Sequence, residues 1–324
     1  MPAPSDRLPV SVVIPVYNRL DLLLAAVKSA QQQEAPPAEI VVVDDGSPEG
    51  SAEAALAAAG AALTAPARLR VERQENGGPS RARNRGVLLA GNPWVAFLDA
   101  DDVWEPDKLR LQWAAARAHP QAVVVTSDWR RPGVPRPQGA VPRPRLEADA
   151  LRRVAWLNRF QTSTALVRRD VLLDAGLFAP AMDGLEDWDM WLRVVARGAW
   201  VHIPYPLVSY ADTPGGVSKD TRRAYHVGLD RLEAYRAGRV DARAAAAVND
   251  RLLLWHHIRF AFAFHRVGDV EMRGACLRAA WRPGARLRCL ELTTRGLLPF
   301  LAGRVRARLR GAPAGQPAGA GNGR

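Results

Sequence analysis

Apolar residues in the first 130 positions come in short β-branched runs, separated by stretches with helical spacing. VSVVIP (10–15) and EIVVVDD (39–45) are nearly continuous apolar runs of strand length, the pattern of strands covered on both faces. Between them LDLLLAAVKSAQQQ (20–33) carries apolar residues at helical spacing up to a Pro36-Pro37 stop. The alternation then repeats: an Ala-rich helix (51–62), a strand (69–73), a helix opening at Pro79-Ser80, a strand (94–100), a helix from Pro106 and a strand (122–128). This pattern predicts an α/β fold with a doubly wound, mostly parallel, Rossmann-like sheet and right-handed crossovers.

Residues 130–146 hold five prolines and several arginines without apolar periodicity, and read as an irregular loop. A helix (147–158), a strand around Thr162 to Val167, a helix from Glu186 to Arg197 and a strand near Trp200 to Ile203 follow. After Ser218 the pattern is helical to about residue 310, and the final stretch is disordered by composition. The expected organisation is an α/β domain over 1–218, a helical C-terminal extension over 219–310 and a tail over 311–324.

The 324 residues are 48% hydrophobic, enough for one large or two smaller domains, which excludes a disordered or collagen-like chain. Cys276 and Cys289 are the only cysteines, too few for a disulfide framework or a four-cysteine zinc site, and they fit a reducing compartment. Each apolar run falls short of the ~20 residues a membrane span needs, so a cytoplasmic protein is expected. The net charge is +12, but the bases of the first half are scattered and not interleaved with aromatic residues, which argues against nucleic acid as a partner.

Ligands of open parallel sheets bind beyond the carboxyl ends of the strands. Here those ends are acidic: Asp44-Asp45-Gly46-Ser47 follows the second strand and Asp99-Ala100-Asp101-Asp102 the fourth. Converging carboxylates raise one another's pKa, and a divalent cation with a preference for oxygen ligands, Mg²⁺ or Mn²⁺, would relieve them. The competing reading is helix capping, in which Asp and Ser satisfy free N–H groups. Neither a G-x-G-x-x-G turn nor a Walker lysine loop follows the first strand.

Five segments, VSVVIPVYNR (10–19), VVVDDGS (41–47), ENGGPSRARNRG (75–86), WVAFLDADDVWEPDKL (94–109) and GLEDWDMWLR (184–193), resemble in order and spacing the family 2 glycosyltransferases of the GT-A fold. The resemblance covers residues 8–212. It implies an inverting transferase that moves a sugar from a nucleoside-diphosphate donor to an acceptor hydroxyl. By the same resemblance, Asp101 would touch the metal, and Asp99 the ribose or a metal-bound water. Asp45 or Asp44 would face the nucleobase, with Pro15 and Tyr17 packed on it, and Arg83 would neutralise the diphosphate or hold the base. Asp187 would be the general base and Glu186 would orient the acceptor; Trp188 could stack on a sugar. Trp191 and Trp104 read as core or ambiguous, and His202, His256 and His257 as packing residues.

One departure stands out. Many members carry a Y-R-x-H-x-x-S-x-S segment that closes on the diphosphate, whereas Tyr210 to Ser218 has neither Arg nor His, leaving Lys219, Arg222 or backbone N–H groups for that task. Rival functions are a sugar nucleotidyltransferase, for which Pro15 to Arg19 supplies no phosphate loop, and a non-catalytic sugar-nucleotide-binding module. The acceptor is expected to be a saccharide or lipid-linked saccharide of envelope polysaccharide synthesis. The segment Leu297 to Leu301, followed by Arg304, Arg306, Arg308 and Arg310, suggests peripheral docking on an anionic membrane surface at the inner face of the plasma membrane.

Overall fold

The computed structural model describes residues 7–60, 67–156, 158, 160–182, 184–211, 220–245 and 248–281. The expected basic run and tail beyond residue 281 lie outside the described residues. The first strand, β1 (Leu8–Val16), is followed by α1 (Leu20–Gln31), β2 (Pro37–Asp44), α2 (Ala52–Ala58), β3 (Arg68–Arg73), α3 (Pro79–Leu89) and β4 (Trp94–Phe97). Then come the short β5 (Val103–Trp104), α4 (Lys108–Ala118), β6 (Ala122–Arg130), β7 (Arg145–Leu146), α5 (Ala150–Trp156), β8 (Leu166–Arg168), α6 (Arg169–Asp174), α7 (Glu186–Val195) and β9 (Ala199–Ser209).

The strands form one sheet in the order β3-β2-β1-β4-β8-β6-β9-β5, with β7 on β9. The first four β-α repeats give parallel pairs, β1 with β2 and β4, and β2 with β3. Past them β8 runs antiparallel to both β4 and β6, while β9 returns parallel to β6. β9 also runs well beyond the expected Ile203. The prolines at 204 and 206 are accommodated by a register shift against Ser127 and Asp128 of β6, where a missing N–H leaves no ladder bond unmade.

Both faces of the sheet are covered, which is why its strands lack alternation. Val12, Ile14, Ile40, Val42, Ala96 and Leu98 join Leu23 and Val27 of α1, Leu56 of α2 and Leu109 of α4 in one core. Val41 and Val43, on the other face, pack on Ala82 of α3. Phe97 meets Phe178 and Trp191 edge-on at ring-centroid distances of 5.4 and 6.0 Å. A Cβ at Gly86 would overlap the Val13 side chain, so α3 lies closer to β1 than any other residue there would allow.

The residues divide into two compact units. The first runs to Asp220 and takes in Ala237–Ala247, whose short helix α9 (Ala242–Ala245) is tied to it by Arg197–Asp241 at 2.6 Å and Arg243–Asp174 at 3.0 Å. The second is helical, with α8 (Thr221–Arg236), α10 (Asp250–Arg266) and α11 (Val270–Ala280) around Tyr225, Phe260, Phe264, Met272 and Cys276. His256 there bonds Tyr225 O at 2.8 Å, and burial pushes its pKa down to about 3; His257 meets the Tyr225 hydroxyl at 2.9 Å. In the first unit, His202 bonds Thr126 at 2.9 Å and pairs with Asp128 at 3.2 Å. The three histidines are packing residues, as expected. No helix among the described residues is long and apolar enough to cross a membrane.

Lys108, fully buried on α4, lies 3.9 Å over the Trp104 ring and donates to Gln112 Oε1 at 2.7 Å. Burial pulls its pKa well below the ordinary lysine value. The unfolded chain therefore binds more protons, and stability should rise with pH on the alkaline side, up to the free-lysine pKa. Urea titrations of wild type and Lys108→Met at pH 7 and 9 should show that slope in wild type alone; equal slopes would refute the assignment.

Candidate active site

The carboxyl ends of β1 and β4 are adjacent, and the chain winds outward from β1 through β2 to β3 before crossing back to β4. This reversal makes the crevice between β1 and β4 the topological switch point, where open α/β sheets take their ligands. At the end of β1, Pro15 is half-buried and Tyr17, just past it, is 47% exposed, so both remain available to a planar ligand. Asn18 adopts φ +53°, a left-handed turn that Asn tolerates, and its N–H donates to Ser47 Oγ at 3.1 Å. The turn delivers Arg19 to Asp101, with Nη1 to Oδ2 at 3.0 Å.

The acids after β2 are tied into the loops around them. Asp44 is fully buried and accepts from Ser47 N and Ala52 N, both at 2.9 Å, and from Arg73 at 3.1 Å. Asp45, also buried, accepts from Gln74 Nε2 at 2.7 Å, Gly77 N at 3.0 Å and Gly78 N at 2.8 Å. Both carboxylates are occupied in holding the loop around α2 and the 74–78 turn, the contacts that the capping reading expects. The intervening Gly46, at φ +76°, has no room for a side chain, since a Cβ would stand 2.9 Å from Asn76 N.

The acids after β4 divide differently. Asp102 is fully buried, accepting from Ser163 Oγ at 2.5 Å and Ala211 N at 2.9 Å, and burial together with the neighbouring Asp99 charge holds it well above the usual carboxylate range. Ser163 also receives the Asp99 N–H at 3.0 Å, so this loop is anchored from beneath. The side chains of Asp99 and Asp101 stay 26% and 19% exposed. Each is paired with an arginine, Asp99 with Arg83 Nη2 at 2.9 Å and Asp101 with Arg19.

Arg83 of α3 is buried and reaches Glu186 Oε1 with its other nitrogen, Nη1, at 2.9 Å. Burial opposes its charge, but the Asp99 and Glu186 carboxylates more than compensate and raise its pKa. Its ends are thus committed to two carboxylates, which is more specific than the expected diphosphate or base contact. Glu186 receives Gly184 N at 2.6 Å on its second oxygen. Asp187, next along α7, accepts from Asn158 Nδ2 and from Trp188 N, both at 2.6 Å. Desolvation and the adjacent Glu186 charge push Asp187 up to about 7, against the opposing pull of these donors and of Arg83.

The expected role of Trp188 is corrected. Only 1% exposed, it donates from its indole to Val154 O at 2.9 Å and is a core residue with no face for a sugar. Trp191 is core as expected, and Trp104, buried with its indole on Ser163 O at 2.9 Å, joins it. The half-buried aromatic pair at this edge is instead Trp129 and Tyr210, with ring centroids 5.0 Å apart at the ends of β6 and β9. Arg19, Asn158, Ser163 and Trp129 were not given a role by sequence reasoning; Arg19 carried a signal as the last residue of the first motif, and Tyr210 as the first residue of the segment matched to the diphosphate-closing motif. The segment 212–219, including Lys219, lies outside the described residues. Arg222 pairs with Asp269 at 2.6 Å and Glu271 at 3.0 Å.

Among the described residues no group of three or more metal-ligating side chains gathers in one place. Asp99 and Asp101 nevertheless present hard oxygen donors that the structure already matches with cations, a set suited to Mg²⁺ or Mn²⁺, which fill their remaining positions from phosphate oxygens and water.

Comparison with known proteins agrees with this layout. A family model described as glycosyl transferase family 2 matches residues 11–175, about half of the chain. Uncharacterized protein y4gI of Sinorhizobium fredii is 30% identical over 219 residues, 66% of this chain and 23% of that protein. The succinoglycan biosynthesis protein ExoU of Rhizobium meliloti is 28% identical over 292 residues, 83% of this chain and 80% of that protein. The chain therefore spans less than a quarter of the length of y4gI, and most of ExoU. Among solved structures, S. aureus TarS 1-349 in complex with UDP-GlcNAc superposes with TM-score 0.62 at 20% identity, covering 80% of this chain and 74% of that one. The mannosyltransferase PcManGT from Pyrobaculum calidifontis, in complex with GDP-Man and Mn²⁺, gives TM-score 0.57 at 23% identity over 92% and 82% of the two chains. The fold is GT-A, and with the family's motifs meeting around one crevice the chain belongs to glycosyl transferase family 2.

Proposed function

We propose that the chain is an inverting glycosyltransferase that moves a sugar from a nucleoside-diphosphate donor to a hydroxyl of a saccharide or lipid-linked saccharide in envelope polysaccharide synthesis. The observation that carries this reading is the Arg83 bridge, which ties Asp99 of the exposed acidic loop to Glu186, the residue before Asp187. Donor-side acids and a carboxylate with a pKa near 7 are thereby held in one frame. A purely binding module has no use for such a base, and a nucleotidyltransferase needs a phosphate loop that Pro15 to Arg19 does not form.

In the proposed reaction the base of the donor lies against Tyr17 and Pro15, within walls shaped by Asp45. Asp187 takes the proton of the acceptor hydroxyl as its oxygen attacks the anomeric carbon, and the bond from that carbon to the diphosphate breaks on the opposite face. Asn158 holds Asp187 from the side, and its own Oδ1 is buried with no hydrogen-bond partner among the described residues, a place an acceptor hydroxyl would fill. Asp99 and Asp101 would hold Mg²⁺ or Mn²⁺, which, when bound, neutralises charge developing on the leaving diphosphate. The complexes of TarS with UDP-GlcNAc and of PcManGT with GDP-Man and Mn²⁺ support this donor class, and the succinoglycan proteins support a polysaccharide product. We place its action at the cytoplasmic face of the membrane, docked through the basic residues that the sequence carries after Leu301.

Incubation with a panel of UDP- and GDP-sugars, Mn²⁺ and candidate glycan acceptors, read as nucleoside diphosphate release, tests the reading; no acceptor-dependent release with any donor would refute it. Asp187→Asn should lower transfer roughly 10²–10⁴-fold with nucleotide affinity unchanged. Loss of nucleotide binding in that variant would put Asp187 in the donor site instead. Because the base works deprotonated, kcat should rise with pH through about 7 and level off above it. Asp101→Asn should abolish transfer and retain the far-UV circular dichroism spectrum; full activity in excess EDTA would refute the metal assignment.

A further inference from the structure

The residue that closes the switch-point crevice has no role in the scheme above. Arg19 stands at the end of β1 and Asp101 at the end of β4, the two strands that flank the crevice, and their ion pair at 3.0 Å spans its mouth. The contact is built into the backbone. Asn18 takes its left-handed turn immediately before Arg19 and is fixed through Ser47, and Arg19 O receives the N–H groups of Leu22 and Leu23 at 3.2 and 3.0 Å as α1 begins. The side chain beyond this fixed backbone is not fixed: it is 34% exposed, and Asp101 is the only partner the described contacts give its guanidinium. Arg83, paired with Asp99, differs in being buried and held at both ends.

We propose that Arg19 is a diphosphate-binding residue that bars the crevice until the donor arrives: it yields Asp101 to the divalent ion and re-pairs with the donor's diphosphate. This rests on the donor-site reading given above. A half-exposed ion pair in water is weak, so a divalent ion displaces it readily. A guanidinium released beside a diphosphate finds a stronger acceptor, because its planar fork matches phosphate oxygens two at a time. The exchange keeps the charge at the crevice balanced in both states. It also makes metal and nucleotide arrive together, since the ion alone must displace Arg19 without offering it a new partner.

The consequence is a pair of opposite shifts on removing the guanidinium. In Arg19→Gln, Mn²⁺ alone, titrated by electron paramagnetic resonance in the absence of nucleotide, should bind roughly threefold to fivefold more tightly than in wild type, because its competitor for Asp101 is gone. UDP or GDP, measured by calorimetry at saturating Mn²⁺, should bind about tenfold more weakly, through loss of a charge-assisted contact. Arg19→Lys, which keeps the charge but loses the fork, should stay near wild type for Mn²⁺ alone and fall between the two for the nucleotide. Both affinities falling together in Arg19→Gln would mean that Arg19 merely shapes Asp101, and unchanged affinities would mean that the contact is incidental; either overturns the proposal. If Mn²⁺ with UDP or GDP binds to no form of the protein, the donor-site reading itself falls and this proposal with it.

Discussion

Like charge is the constraint around which this site is arranged. Asp99, Asp101, Asp102, Glu186 and Asp187 belong to one loop and one helix start that meet at one sheet edge, where left to themselves they would repel and protonate. The buried Arg83 answers most of that repulsion, because its two terminal nitrogens reach Asp99 and Glu186 at the same distance. A lysine could not make both contacts in this geometry, since the fork of the guanidinium is what spans them. Asp187 has no direct bond to that cation and, despite its pull, keeps an elevated pKa. One arginine thus pairs directly with two of the carboxylates and leaves a third able to exchange a proton near neutrality.

Much of this architecture was legible in the chain. The β-α repeats to residue 128 were set by apolar runs whose length and β-branching leave little choice, and they include the strands that lead into Tyr17, Asp45, Asp99 and Asp101. The direction of β8 was not legible, because a three-residue apolar strand reads the same either way. Nor was the extent of β9, whose prolines look like a stop until the register shift on β6 is seen. In the site, motif spacing found the right loops but could not tell which acid of each faced outward. That depends on partners far along the chain: Arg73 for Asp44, the 74–78 turn for Asp45, Ser163 and Ala211 for Asp102. Trp188 shows the same limit, since its neighbours on α7 suggested a surface, and only Val154 of α5 reveals a core position.

The buried acids are therefore a foundation for the exposed ones. Asp44 and Asp45 fasten the loops beside β2, and Asp102 fastens the loop after β4, each by satisfying backbone N–H groups that would otherwise be unpaired. Asp99 and Asp101 are held out toward the crevice because their neighbour Asp102 is held in. Sequence motifs of this kind mix residues that meet the ligand with residues that only position them, and burial separates the two kinds.

The missing side chain at Gly86 sets how far this arrangement can drift. Position 86 lies one turn along α3 from Arg83, on the helix side pressed against Val13, and no methyl group fits between them. Any larger residue would lift the helix off the sheet, and the guanidinium it carries would rise with it, away from two carboxylates that are themselves tied to other elements. The reach of an arginine leaves little slack for such a lift. The spacing between helix and sheet, a property usually filed under stability, here works as a ruler for the electrostatics of the crevice, and a site that no substrate touches inherits the tolerance of one that does.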